Sequence, residues 1–307
     1  MMTTVCLNPS FDKTATVKQL GVGEVNRLSD VRYDAGGKGI NVAIVLKRLK
    51  VDAQCIGCVG SSDETAFREM LDKEHVDFEA LRLQGKVRTN LKICDEKTGV
   101  TTEFNEPGPA ISADEIEAFL QLLTSGAKQS DYVVLSGSVP VGCGEDIYLR
   151  CMQALPDGRC IVDAGGAMLT NCLPAKPFLI KPNLPELEGI MQSSLRTIRS
   201  IRDAALTLRR RGAEHVVVSM GRYGAIYVGA DKTLFSPALQ VEAKSPVGAG
   251  DAMIGGMLMG LDRGMGMEEA FRCGVAAGAA SVMTEGTQLI EVADFERLLG
   301  KVTLQEV

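Results

Sequence analysis

Phe178-Leu179-Ile180-Lys181-Pro182-Asn183-Leu184-Pro185-Glu186 passes from an apolar run, through a polar turn, into a helix-period segment that continues to Met191. The run is short and wholly apolar, and a turn bounds it, so it predicts a strand buried on both faces. The same unit recurs on either side. Residues 132–135, 160–162 and 216–218 are further short buried runs, and helical patterns fall at 146–154 and 198–211, the latter closed by Gly212. Nearer the start, residues 4–7 predict a first strand. Residues 40–49 predict a helix, with Ile40, Ala43, Ile44 and Leu46 keeping its period, and Ser112-Ala113-Asp114-Glu115 is a capping box for a helix through Leu123. Strand and helix alternating in this way predict an α/β fold, a central mostly parallel sheet with helices on both faces.

Two stretches break the alternation. Residues 13–17 and 31–33, and then 87–94 and 100–104, look like strands with no helix between the members of each pair. They predict a small antiparallel sheet projecting as a lid from one domain that spans residues 1–307, the lid formed by about 11–34 and 87–105. Lys97-Thr98-Gly99 is its expected hairpin turn.

Composition narrows the class. The 307 residues are 45% hydrophobic and 23% charged, the proportions of a globular protein with an ample core. A net charge of −6 argues against a nucleic-acid partner, whose phosphates need neutralising. The nine cysteines lack framework spacing and several sit in apolar runs, which predicts buried reduced thiols. Cys55-Ile56-Gly57-Cys58 has no second pair to complete a zinc site. No basic region with an apolar stretch opens the chain and no window approaches 18 apolar residues, so a cytoplasmic protein with no membrane contact is expected. Arg199, Arg202, Arg209, Arg210 and Arg211 read as the solvated face of a helix whose late cations suit its dipole.

The strongest chemical signal is Val247-Gly248-Ala249-Gly250-Asp251, which feeds directly into the apolar helix pattern Ala252-Met253-Ile254-Gly255-Gly256-Met257-Leu258. Unpaired N–H groups at such a helix start attract an anion, and glycines let it approach. Asp251 stands at the mouth of this turn as a candidate proton acceptor. The helix start is expected to lower its pKa. A plain helix start with a favourable aspartate is the alternative. Asp34-Ala35-Gly36-Gly37-Lys38-Gly39-Ile40-Asn41 opens another helix. It fails the Walker A pattern at Gly39 and the dinucleotide pattern at Val42, leaving either a ligand turn or a structural one.

Three further loops follow predicted strands, where open α/β sheets collect ligand groups. They are Asn8-Pro9-Ser10-Phe11-Asp12, Ser136-Gly137-Ser138-Val139-Pro140, and Lys181 to Glu186. Asp12 is a candidate for gripping sugar hydroxyls. Asn183 and Glu186, one helical turn apart, suit a hydrated magnesium ion. Each loop taken singly is an ordinary turn.

Their joint order, from Asn8 to about Thr287, resembles the PfkB carbohydrate kinase family of the ribokinase superfamily. The Gly-Gly-Lys-Gly and Gly-Ala-Gly-Asp segments match its two signatures. The resemblance implies a ribokinase-like fold with a β lid that forms a homodimer contact. It implies Asp251 as base, with the amides of Gly248, Ala249 and Gly250 as anion hole. Asn183 and Glu186 would serve magnesium and phosphate, and Ser219, Gly221 and Gly224 would line the ATP site. Within the family, Asn8 to Asp12, Gly23-Glu24-Val25-Asn26-Arg27 and Arg88-Thr89-Asn90-Leu91-Lys92 resemble the kinases of fructose 1-phosphate, with those of tagatose 6-phosphate next. A substrate already carrying phosphate needs cations, and Lys38, Arg88, Lys92 and Arg27 supply them. The implied sugar site comprises Asp12, Gly36, Gly37, Lys38, Asn41, Arg88, Asn90, Ser136 and Arg27.

The expected reaction is ATP- and Mg2+-dependent conversion of fructose 1-phosphate to fructose 1,6-bisphosphate. Tagatose 6-phosphate is the alternative substrate. A sugar-phosphate sensor without turnover is a remote reading, and a Ser-His-Asp hydrolase fits neither His75 nor His215. Pro246 and Val87 stand where the family usually carries threonine. Proline there removes both a hydroxyl and an N–H.

Overall fold

The computed structural model describes residues 1–155 and 159–307. Strand β1 (Met2–Cys6) is the third strand from one edge of a ten-stranded sheet. On one side it pairs in parallel with β4 (Ala53–Gly60), and β4 with β5 (Asp77–Leu83). On the other side β8 (Tyr132–Ser136), β9 (Arg159–Asp163), β10 (Leu179–Ile180) and β11 (His215–Ser219) continue the parallel array. The sheet is then extended by antiparallel strands β12 (Ala225–Val228), β13 (Thr233–Ser236) and β14 (Gln305–Glu306), which the periodicity of the chain did not announce.

Successive side chains of a strand point to opposite faces, so each buried run serves two cores at once. Val134, Ile161, Leu179 and Val217 join a core under α1 (Lys38–Arg48), α8 (Ala249–Asp262), α9 (Met267–Ser281) and α10 (Val292–Leu299). Their neighbours Val133, Val162, Ile180 and Val216 face the opposite core, built with α3 (Ala113–Gly126), α4 (Ile147–Ala154), α5 (Gly166–Cys172), α6 (Leu184–Met191) and α7 (Ile198–Arg210). Helix α2 (Glu64–Lys73) packs its Phe67 and Leu71 into the first core. The expected capping box at Ser112 and Glu115 is present. All nine cysteines are free, and seven of them are buried in these two cores, where loss of water raises the thiol pKa, as for Cys6 at about 11.

The second sheet has the order β3-β2-β6-β7, from β2 (Ser10–Val17), β3 (Ser29–Gly36), β6 (Arg88–Asp95) and β7 (Thr101–Asn105). It corrects the expectation of an all-antiparallel sheet, because β2 and β6 pair in parallel. Only β2–β3 and β6–β7, close in sequence, form the antiparallel ladders. β2 and β6 are separated by β3, α1, β4, α2 and β5, so the chain has length enough to return in the same direction. In the turn after β6, Gly99 has φ 68° and the Asp95 carboxylate accepts the N–H groups of Lys97 and Thr98. Among the described residues no helix is long and apolar enough to cross a membrane.

Candidate active site

The ends of β1, β8, β9, β10 and β11 open on one side of the parallel sheet, and the inner face of the smaller sheet stands over them. Between them lies a cleft of about 1300 Å³. It is lined by Asn8, Ser136, Asp163, Lys181 and Ser219 from the strand ends, by Asp12, Arg88, Asn90 and Lys92 from the smaller sheet, and by residues 243–251. Loops at the carboxyl ends of parallel strands are where open α/β sheets hold ligands.

Asp251 lies buried in the first turn of α8. Its N-cap Gly248 has φ 78°, a left-handed conformation that glycine adopts without strain. Among the described residues, the N–H groups of Gly248 and Gly250 make no hydrogen bond to a protein acceptor, and that of Ala249 makes only a long one, 3.4 Å, to Pro246 O. Asp251 Oδ2 accepts the Asn41 amide N–H at 2.7 Å. The expectation of a lowered pKa is wrong. Burial, joined by the negative charge of Asp163, raises Asp251 to about 6, against the pull of Lys38, Asn41 and Lys181. Loss of water outweighs the partial charges of one helix end. A carboxylate at this value is ionised at neutral pH yet a better proton acceptor than an exposed one.

Lys38 opens α1 after Gly37, whose φ of 119° and distance to Cys6 exclude a larger residue: a Cβ there would lie 2.6 Å from Sγ. Lys38 Nζ reaches Asp163 Oδ1 at 3.2 Å, and Lys181 Nζ lies 3.5 Å from Asp163 Oδ2. Burial works to raise the Asp163 pKa, but the two ammonium groups prevail and hold it below the usual carboxylate value. Burial likewise opposes the charge of Lys38, and the carboxylates of Asp163, Asp251 and Glu186 more than offset it. Sequence reading passed over Asp163 and gave Lys181 no role. Asp163 ends a buried strand and precedes two glycines, the same setting that singled out Asn8 and Ser136.

Asp12 is buried on the inner face of the smaller sheet. Its Oδ1 accepts from Ser10 Oγ at 2.7 Å and Asn90 Nδ2 at 3.1 Å, and its Oδ2 pairs with Lys92 Nζ at 2.6 Å. Gly36 backs this carboxylate, since a Cβ there would come within 2.5 Å of it. Lys92 is thus engaged within the fold, whereas Arg88 leans over the cleft on bonds from Nε to Asn8 O and from Nη1 to Glu106 O. Arg27 does not join them: it is exposed on the loop between β2 and β3, away from the cleft lining. Val87 is buried, and its N–H donates to Asp63.

At the other end, Ser219 bridges to Asn183 beside a short turn, Gly221–Tyr223, and Gly224 at φ 100° closes against Ser236 O. Asn183 and Glu186 form a reciprocal capping box on α6: each side chain accepts the other's N–H, at 2.8 and 2.9 Å. The sequence reading offered the pair for magnesium and did not name this capping box at the start of α6. One Glu186 oxygen, Oε1, remains outside the box.

Fold and site together define a phosphotransferase of ribokinase-like architecture. Residues 7–293 match the pfkB family of carbohydrate kinases, and the chain belongs to that family. It is 36% identical to a 1-phosphofructokinase of Bacillus subtilis (strain 168), over 93% of either chain. It is 33% identical to a 1-phosphofructokinase of Escherichia coli (strain K12), over 98% of this chain and 97% of that one. Phosphofructokinase-2 from Escherichia coli, solved in complex with substrates and products, superposes with a TM-score of 0.92 at 30% identity, covering 98% of both chains.

Proposed function

We propose that this protein is a cytoplasmic kinase that uses MgATP to convert fructose 1-phosphate to fructose 1,6-bisphosphate. One observation carries the reading. Asn8 Oδ1, Asn41 Oδ1, Asn90 Oδ1 and Ser136 Oγ are buried without a hydrogen-bond partner among the described residues, and all four line the cleft that holds Asp251. Buried polar atoms are nearly always paired, so a row of unpaired acceptors suits a ligand rich in hydroxyl donors. Asp12 completes that polar floor, backed by Gly36. Arg88 and Lys38 supply charge for a phosphate already on the sugar.

In the proposed reaction Asp251 Oδ takes the proton of the sugar's 6-hydroxyl. The hydroxyl oxygen forms the new bond to the γ-phosphorus, and the bond from that phosphorus to the bridging oxygen breaks, leaving its electron pair on ADP. The N–H groups of Gly248, Ala249 and Gly250 face the charge on the phosphoryl group in transfer. Ser219, Gly221, Gly224 and Asn183 border the nucleotide end. The free Glu186 oxygen fits a magnesium ion held mostly by phosphates and water, as magnesium prefers, and the ion would neutralise phosphate charge there. The capping box orients Glu186 for this.

The smaller sheet is proposed as a lid and as the contact of a homodimer. Val31, Tyr33, Val100 and Phe104 are about half exposed on it, toward its two edges, and a partner sheet would cover such residues. Arg27 would then stand near a partner's cleft rather than its own. The test of the activity is ADP release with fructose 1-phosphate, fructose 6-phosphate, tagatose 6-phosphate and ribose. The highest kcat/KM is expected for fructose 1-phosphate. No release with any phosphosugar would refute the kinase reading, and preference for tagatose 6-phosphate would move the substrate.

A further inference from the structure

The segment between α9 and α10 supports the turn at 247–250 from behind. Ser245 N donates to Val282 O at 3.2 Å and Ser245 Oγ to Gly286 O at 2.8 Å. The same Oγ accepts the Val247 N–H at 3.3 Å. Leu289 fills the space behind Gly248, where a Cβ would lie 2.6 Å from Leu289 Cδ2. Leu289 is buried at φ 56°, a left-handed conformation that leucine keeps only where its surroundings over-determine it. The other flank of this segment is gripped by β3 of the smaller sheet. Asp34 Oδ2 accepts the Thr287 hydroxyl at 2.9 Å and Arg32 Nε–H at 2.8 Å, and Arg32 Nη2 donates to Glu285 O at 2.9 Å. Gly286 fits between them, since a Cβ there would lie 2.7 Å from Arg32 Nη2 and 3.1 Å from Thr14 Oγ1.

Arg32, Asp34 and Thr287 do not line the cleft. Yet Asp34 stands opposite Asp12 in the β2–β3 ladder, and its strand runs on to Gly36, which backs the Asp12 carboxylate. The three residues therefore join the floor of the sugar site to the turn before Asp251. The Arg32 and Asp34 side chains are 31% and 25% exposed, and an ion pair so open to water adds little to stability. We propose that Asp34 is a positioning residue. Through Thr287, and together with Arg32, it latches the smaller sheet to the segment behind Gly248, so that a phosphosugar held under that sheet sets the N–H groups of residues 248–250 for the γ-phosphate of ATP. Such coupling is reciprocal: the factor by which bound sugar tightens the nucleotide is the factor by which bound nucleotide tightens the sugar.

The inference rests on the proposed kinase activity, which fails if the wild-type chain releases no ADP with any phosphosugar; the latch is read separately, by binding. Calorimetry measures the affinity of the magnesium complex of β,γ-methylene ATP with and without saturating fructose 1-phosphate. In the wild type the sugar phosphate is expected to tighten the nucleotide about tenfold, within the usual span of coupling between two sites. In Asp34→Ala the tightening should shrink to within about twofold, while each ligand alone binds within about threefold of wild type. Its kcat should fall about 10–10²-fold, the cost of a small misplacement at the phosphoryl group. Asp34→Asn keeps an acceptor for the Thr287 hydroxyl and should regain most of the coupling. Thr287→Val keeps the shape of residue 287 without its donor and should lose the coupling as Asp34→Ala does, and the double variant should lose no more than either single one. No coupling in the wild type, or full coupling in both Asp34→Ala and Thr287→Val, would overturn the proposal. So would an Asp34→Ala chain whose affinity for the phosphosugar alone falls as far as its kcat.

Discussion

Replacing Asp251 by asparagine should separate catalysis from stability, and in opposite directions. The folded carboxyl has its pKa raised from 3.8 to about 6, a net shift that already contains the opposing attraction of Lys38 and Lys181. For a carboxyl, a raised folded pKa means that the folded state binds the proton more tightly than the unfolded one. Ionisation therefore costs stability. The cost is absent below about pH 4, grows between the two pKa values, and is complete above about pH 6. Two units correspond to about 3 kcal/mol. Asparagine is neutral at every pH, and its carbonyl oxygen can still accept the Asn41 N–H. At pH 8 the variant should be more stable by up to about 3 kcal/mol, a rise in Tm of about 5 °C for a chain of this size. At pH 5 the advantage should have shrunk to about half. Turnover should fall about 10²–10⁴-fold, the usual contribution of a general base. Thermal unfolding followed by circular dichroism at the two pH values, with a coupled ADP assay, reads both effects. A variant less stable than wild type at pH 8, or a gap that ignores pH, would refute the argument from burial and Asp163. Wild-type turnover would remove Asp251 as base.

In the wild type, kcat/KM should rise with pH through a limb near pH 6 and lose about tenfold per unit below it, since only ionised Asp251 accepts a proton; a limb near pH 4 in the pH–rate profile would contradict the buried setting. Arg88→Ala should raise the phosphosugar KM about ten- to a hundredfold, the value of a charge-assisted bond to phosphate, while the KM for ATP stays level in the same assay. Glu186→Gln should keep Tm, because glutamine also completes a capping box, yet need more Mg2+ for half-maximal rate; unchanged Mg2+ dependence would leave Glu186 a cap alone. Phe104→Lys, on a residue 54% exposed, should convert a dimer to a single-chain mass in light scattering across a dilution series, whereas a wild type already of single-chain mass at micromolar concentration would end the dimer proposal.

The strands at 132–135, 160–162 and 216–218 were legible because a strand buried on both faces must be apolar at every position, and little else forces so short and pure a run. The glycine turns at 36–39 and 248–250 were legible for a related reason: a left-handed or closely approached backbone admits almost no other residue, so the requirement is written in the residue type. Asn41 and Asp251 were each legible, but not that they touch, since 210 positions separate the partners of that hydrogen bond.

Pairing direction in the smaller sheet was invisible for the same reason, because β2 and β6 meet only after five intervening elements have folded. The tertiary structure alone decided the electrostatics. Local sequence offers Asp251 a helix start, which lowers a carboxyl pKa, but folding removes its water and brings Asp163 from another strand, and these larger effects reverse the sign. Lys181 shows the division most clearly. The sequence places a lysine after a strand, as many do; only the packed chain sets its ammonium against Gly250 and beside the Asp163 carboxylate. Residue type determines what backbone each segment can adopt, whereas charge in a protein acts through space and solvent, and both are fixed only when distant segments close around the same site.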